Sequence, residues 1–184
     1  NTLDTIVWMA EFNESKRVVE VTKSLATYFR LALNNGNEQI QLKSEIEHVR
    51  QYLFIQQQRY GDQLNYRIEE LASYEDYLVP MLILQPLVEN AIYHGIKEVS
   101  RPGEIRLRVY EDDHHLVISV YDNGQGFDSI MKEEARDKLV RQGGIGLSNV
   151  DKRLKLQFGE AYHMEWESQP DQFTEIRLYL PLNL

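Results

Sequence analysis

The sequence predicts an α/β protein: a two-layer sandwich of helices on a mixed, mostly antiparallel sheet of about five strands, preceded by a helical segment. Three observations predict it. Apolar residues recur at three- and four-residue steps up to Gly61, and after it the spacing changes to alternation. Alternating runs around Leu64–Ile68, Ile105–Val109, Leu116–Val120, Tyr162–Glu167 and Phe173–Leu180 supply the strands. Two helical stretches, 79–96 and 146–158, stand between them.

The elements follow in order. Leu3, Ile6, Val7 and Ala10 share one helix face, and Val18, Val21, Leu25, Phe29 and Ala32 share a second. Asn34-Asn35-Gly36-Asn37 ends that helix, because Gly and Asn tolerate the left-handed backbone of a C-cap. Leu42, Ile46, Val49, Leu53 and Tyr60 mark a third helix, closing near Gly61-Asp62. These stripes need partners, in this chain or in another copy of it. Val79 to Ile96 reads as one buried helix, with Pro80 in its first turn and Pro86 either kinking it or marking a second start. Asp112-Asp113-His114 reads as a hairpin turn, residues 128–143 as a charged mobile loop with a short helical piece, and Gln169-Pro170-Asp171 as the last turn. The change of period divides the chain into a helical segment, 1–61, and an α/β unit, 62–184.

Bulk composition narrows the function. Of 184 residues, 42% are hydrophobic and 27% charged, enough apolar material for a core. The net charge of −9 argues against nucleic acid, where a basic face is expected. Cysteine is absent, so there is no disulfide framework and no thiolate metal site. No apolar run approaches the roughly 20 residues that span a bilayer. The chain opens at Asn1 in a helical pattern and reads as a piece of a longer protein, with any membrane segment upstream.

Three segments carry chemistry. Asn90, Tyr93, His94 and Lys97 fall at helical steps on one face, beside Glu89. Asn offers a neutral oxygen to Mg²⁺, which takes few protein ligands beside phosphate and water, and His94 and Lys97 suit phosphate oxygens. The plainer reading is a solvated polar stripe. Next comes Asp122-Asn123-Gly124-Gln125-Gly126-Phe127, after an apolar strand. A carboxylate there can accept a hydrogen bond from the exocyclic amine of adenine, and Gly124 and Gly126 let the backbone approach a flat base. The plainer reading is a turn. Last, Gly143-Gly144-Ile145-Gly146-Leu147 runs into a helix, whose unpaired N–H groups suit phosphate. It has no Gly-Lys-Ser/Thr and no βαβ surroundings, so it is neither a Walker A loop nor a dinucleotide fingerprint. A flexible loop reaching a helix cap is the alternative.

In this order, the three segments resemble the N, G1 and G2 boxes of the Bergerat ATP-binding fold of histidine kinases, type II topoisomerases, 90 kDa heat-shock chaperones and mismatch-repair ATPases. The flanks, Asn1 to Ile6, Gln56 to Gly61 and Pro80 to Gly95, resemble the cytoplasmic region of LytS/YesM-type sensor histidine kinases over essentially the whole chain. The resemblance implies ATP and Mg²⁺, with Asn90 holding the metal, Glu89 orienting or polarising, and His94 near the phosphates. Asp122 would bind adenine N6, with Gly124 and Gly126 shaping the base pocket. Gly144 and Gly146 would hinge a lid over the triphosphate, with Leu147 beside them. Thr174 would support the adenine end, although Gln172-Phe173 replaces the glycine usual before that Thr.

The resemblance further implies γ-phosphoryl transfer to a His and then to an Asp of a response regulator receiver domain. It implies a homodimer of the whole protein, and a cytoplasmic domain of a bacterial plasma-membrane sensor. The family's acceptor His lies just before the Asn-Thr-Leu that opens this chain. His48 is expected on a solvated helix face, and His114, His115 and His163 at the surface. The rival readings are a Bergerat-fold ATPase using Glu89 to activate water, and a nucleotide-binding regulatory domain without catalysis.

Overall fold

The computed structural model describes residues 2–12, 14–33, 38–69, 72–127 and 144–182. The expected lid, 128–143, and the Asn34–Asn37 helix stop lie outside the described residues.

Helices α1 (Thr2–Glu11), α2 (Ser15–Ala32) and α3 (Leu42–Tyr60) come first, with a short strand β1 (Gln39–Gln41) leading into α3. Then follow β2 (Leu64–Glu69), β3 (Leu78–Pro80), α4 (Leu84–Asn90), β4 (Gly103–Asp112), β5 (His115–Asp122), α5 (Gly144–Phe158), β6 (His163–Gln169) and β7 (Phe173–Pro181). The main sheet has the order β2-β4-β5-β7-β6, with β2 and β4 parallel and the other pairs antiparallel. The mixed five-stranded sheet of the sequence reading is present. In β4, Ile105, Leu107 and Val109 turn inward and the residues between them are half-buried, whereas the central strand β5 is buried at five consecutive residues, Leu116–Val120. The β4–β5 turn is tight, with Asp113 and His114 both at positive φ, the conformation that matches the twist of a hairpin.

The inward face meets Leu84, Leu87, Val88 and Ile92, the α5 residues Leu147, Val150 and Leu154, and the α3 residues Ile46, Val49 and Leu53, in one core. Ile46, Val49 and Leu53 recur at three and four residues, which places them on one side of α3.

Three expectations change. The stretch 79–96 is not one helix. Pro80 pairs with Gln39 across an antiparallel β1–β3 ribbon, and the helix starts at Leu84. Pro86 then sits in the first turn, where the missing N–H costs nothing, so it marks the second start instead of a kink. Second, the helix does not keep one pitch. Ala91–Gly95 forms a wider π-turn and Ile96–Glu98 a tighter 3₁₀ turn. Third, His48 is not on a solvated face. It is 2% exposed, its ring stacked on Tyr28 at 4.4 Å between centroids. Of the other histidines, His115 opens β5 half-buried, with its ring edge-on to His163, while His163 is itself exposed.

Candidate functional site

The site begins with Asp122, the last residue of β5. β5 is a central strand, so its end lies between Ile105 of β4 and Thr174 of β7. The carboxylate is 3% exposed, and its Oδ1 accepts the Gly124 N–H at 2.9 Å. Burial pushes its pKa up to about 7, only partly offset by that N–H. A buried, half-ionised carboxylate needs a reason to be there, and a donor from a ligand supplies one.

Glycines make the approach possible. A Cβ on Gly95 would overlap Oδ1 of Asp122 and stand 2.8 Å from its Cγ. A Cβ on Gly124 would overlap the Gly95 backbone. The end of the π-turn and the turn after β5 are therefore in backbone-to-backbone contact around the carboxylate. Gln125 sews them together: its N–H donates to Gly95 O at 3.2 Å and its Nε2 to His94 O at 2.6 Å. Gly126 has φ +57 and faces the Gln169 carbonyl, so both its conformation and its neighbour exclude a side chain.

Thr174 is 6% exposed and lies directly opposite Asp122 in the β5–β7 register. Its Oγ1 is 3.1 Å from Ser168 Oγ, which itself donates to Phe173 O and accepts the Phe127 N–H. One hydroxyl has one proton, so Thr174 is the donor of the pair. Ser168 thus ties Thr174 to the turn after β5, a role no sequence pattern announced.

Arg101 is a second residue the sequence did not single out. Its Nη2 reaches the carbonyls of Asn123 at 2.7 Å, Gly124 at 2.9 Å and Asp171 at 2.8 Å. One guanidinium nitrogen therefore braces the post-β5 turn against the β6–β7 turn. Nothing in Val99-Ser100-Arg101-Pro102 forecasts it, because its acceptors are backbone groups 22–70 residues away.

The α4 side is arranged differently from a single polar face. Asn90 is the last α4 residue, half-buried, and among the described residues no hydrogen bond engages its side chain. Glu89 turns toward α2: its Oε1 accepts Gln85 Nε2 at 2.7 Å, and the same Nε2 donates to Tyr28 OH at 2.8 Å. His94 is exposed and sits within the π-turn. Lys97 lies over the Tyr93 ring at 4.1 Å and the Tyr60 ring at 5.6 Å, so a phosphate contact requires it to leave these rings. Gly144 is the first residue of α5, and Gly146 faces Pro86 of α4. The Leu147 side chain is 1% exposed in the core, which leaves only its backbone for a ligand.

Asp122, Gly95, Gly124, Gly126 and Thr174 are thus brought together around one buried carboxylate, and Gly146 joins α5 to α4. Chemically, the cluster offers an acceptor for an amine on a flat ring.

Comparisons with known proteins agree with this fold. Residues 1–64 match the model of the histidine kinase family, and residues 75–184 match that of the histidine kinase-, DNA gyrase B- and HSP90-like ATPases. The chain is 32% identical to the sensor histidine kinase YesM of Bacillus subtilis over 98% of its own length. It is 31% identical to the sensor histidine kinase BtsS of Escherichia coli strain K12, again over 98% of its length. It spans 30% of the length of each of these relatives. Among solved structures, the histidine kinase AdeS of Acinetobacter baumannii matches with a TM-score of 0.57 at 13% identity, over 97% of this chain and 85% of that one. The histidine kinase domain of the blue-light activated kinase of Erythrobacter litoralis matches with a TM-score of 0.58 at 16% identity, over 99% and 88%. At such identity these two show the fold alone. The resemblance to LytS/YesM-type kinases read from the motifs holds, and the chain belongs to the family of histidine kinase-, DNA gyrase B- and HSP90-like ATPases.

Proposed function

We propose that this chain is the ATP-binding part of a sensor histidine kinase, with its nucleotide between α4, the turn after β5 and the start of α5. The observation that carries the reading is Asp122, a buried carboxylate that the glycines of two converging turns leave open to a flat base. Its Oδ1 holds the Gly124 N–H, and its Oδ2 would accept adenine N6–H. Residues 62–184 would form the catalytic unit and residues 1–61 a dimerisation and phosphotransfer segment. The two would share packing, because the inner face of α3 lies in the core of the sheet. The exposed Leu3, Val7 and Trp8 of α1, with Phe12 just after it, support a homodimer with a second copy. An Asp on a response regulator receiver domain would take the phosphoryl group from the kinase His. Among the described residues no helix is long and apolar enough to cross a membrane; a membrane-bound sensor would anchor itself elsewhere.

Mg²⁺ fits one position. The Asn90 carbonyl oxygen, not engaged by another described residue, is a hard neutral ligand at the end of α4. Asn90 would hold Mg²⁺ here, and the metal would supply charge neutralisation for phosphoryl transfer. His94 would meet the phosphates, and the first N–H groups of α5 from Gly144 would receive them. Asn90→Ala is expected to weaken a Mg²⁺–ATP analogue about tenfold or more, while AMP measured in EDTA binds as to the parent chain. Calorimetry showing equal losses for both ligands would overturn the metal assignment.

Glu89 is already held by Gln85, an arrangement that suits orienting better than activating water, and this disfavours the ATPase reading. His48 is not an acceptor: it is 2% exposed, and burial holds its imidazole below its ordinary pKa. With Mg²⁺–ATP labelled at the γ position, His48 is expected to carry no acid-labile phosphate. Stoichiometric label mapped to His48 would overturn this.

A further inference from the structure

We infer that Glu45 is a positioning residue that couples the helical segment to the metal and phosphate half of the ATP site. The inference rests on the ATP reading above and concerns a residue outside that site.

Glu45 lies on α3 and is fully buried. Its two carboxylate oxygens take separate backbone donors: Oε2 accepts the Leu82 N–H at 3.0 Å and Oε1 the Leu84 N–H at 2.9 Å. Those are the residues that launch α4. No side chain on α4 itself caps its start, so the cap comes from a helix 39 residues earlier. Leu82 has φ +60, a backbone conformation rare for a branched side chain and one that persists only where its surroundings impose it. The Glu45 carboxylate is what grips it.

The other end of this element is anchored elsewhere. His94 and Gly95 are tied through their carbonyls to Gln125, beside Asp122. Between the two anchors lie Glu89, Asn90 and the π-turn Ala91–Gly95. A π-turn inside a helix is rare and frequently falls at a functional site. The geometry therefore separates two jobs. The Gly95 end moves with the adenine pocket. The Leu84 end moves with α3, and Asn90 and Glu89 ride on it. Tyr28 of α2 adds a second handle, through Gln85 to Glu89. A displacement of α2 and α3 would reach Asn90 without disturbing Asp122. The buried Glu45 carboxylate thus joins the two family regions, 1–64 and 75–184.

The test uses Glu45→Gln, which keeps size and shape but turns one acceptor into a donor facing an N–H. Binding of Mg²⁺–AMP-PNP and of AMP in EDTA is measured by calorimetry, and Tm by scanning calorimetry. The expected result is a loss of about tenfold for Mg²⁺–AMP-PNP, with AMP affinity within about twofold of the parent chain. That pattern copies Asn90→Ala. A residue that served folding alone would lower Tm and affect both ligands alike, and parallel losses, or none, overturn the inference. If Glu45→Gln does not fold, Leu82→Gly relieves the left-handed strain in the same chain. The double variant should regain its fold and AMP binding, and remain weak for Mg²⁺–AMP-PNP. Recovery of both ligands by the double variant also overturns it. If the parent chain binds neither ligand, the ATP reading itself fails, a separate outcome.

Discussion

Replacing Asp122 by Ala weakens ATP binding by about 1.5–3 kcal/mol, the worth of a hydrogen bond to a charged group, while the chain stays folded. GTP binds the parent protein poorly, because its 6-oxo group would face the carboxylate where adenine presents an amine. Equal ATP and GTP affinity by calorimetry would remove the basis of the adenine assignment. The ionisation of Asp122 gives a second readout. Its pKa of about 7 leaves it half protonated near neutrality. An N6–H donor favours the carboxylate, so ATP binding at pH 7 should expel up to about half a proton. The binding enthalpy should then depend on the ionisation enthalpy of the buffer, and the dependence should vanish in Asp122→Ala.

The same group affects stability with a definite sign. A carboxyl whose folded pKa is raised stabilises the fold while it is protonated. That contribution is complete below its ordinary pKa of 3.8 and lost as pH rises through about 7. Over that window it amounts to about 4 kcal/mol. The nucleotide-free parent chain should therefore lose stability between pH 5 and 8 (test values of about that range) relative to Asp122→Asn, which does not ionise. Parallel stability–pH curves for the two would show that the carboxyl does not titrate there.

Gly124→Ala is expected to have a large effect for a single added methyl group. Its Cβ would overlap the Gly95 backbone and stand 2.6 Å from Asp122 Oδ1. Neither neighbour can give way. Gly95 is tied to Gln125, and Asp122 is the end of a central strand. Overpacking a site with mobile side chains costs about 1–3 kcal/mol, and this one meets backbone, so the upper end or more is expected. Nucleotide binding should go with it, because the turn after β5 can accept the methyl only by leaving Asp122. Gly61→Ala is the control. Gly61 has positive φ, +56, but no atom lies within 4 Å of its Cβ position. Only the strain of a backbone conformation suited to glycine remains, at φ +56 and ψ −135, about 1–3 kcal/mol, and ATP should bind normally. Urea unfolding of both, with ATP titration, decides the matter. A Gly124→Ala chain as stable as Gly61→Ala, and still binding ATP, would disprove the close-contact account.

Much of the molecule was legible in the sequence because the signals are local. The alternation of β4 and β5 follows from side chains that point to opposite faces at every step. The Asp113-His114 turn follows from residues that tolerate positive φ. Asp122, Gly124 and Gly126 stood out through their order with the segments around them, since a carboxylate among glycines at a strand end is by itself ordinary turn chemistry. Thr174, placed by resemblance alone, proves to face Asp122 across the sheet.

What the sequence by itself determined, then, is which residues form the main sheet and most of the helices, and which few are candidates for site chemistry. Tertiary structure alone decided the rest. Pro80 left the helix because Gln39 was available as a strand partner, and the helix start moved to Leu84. His48 went inside because α2 lies over it with Tyr28. Glu45, Arg101 and Ser168 acquired their roles from backbone groups that only the fold brings near. The physical reason is common to all of them. Spacing along the chain reports which face a side chain takes, through the pitch of a helix or the pleat of a strand. It carries no record of what that face will meet, since an unpaired N–H or carbonyl looks the same at every position until another segment is folded against it.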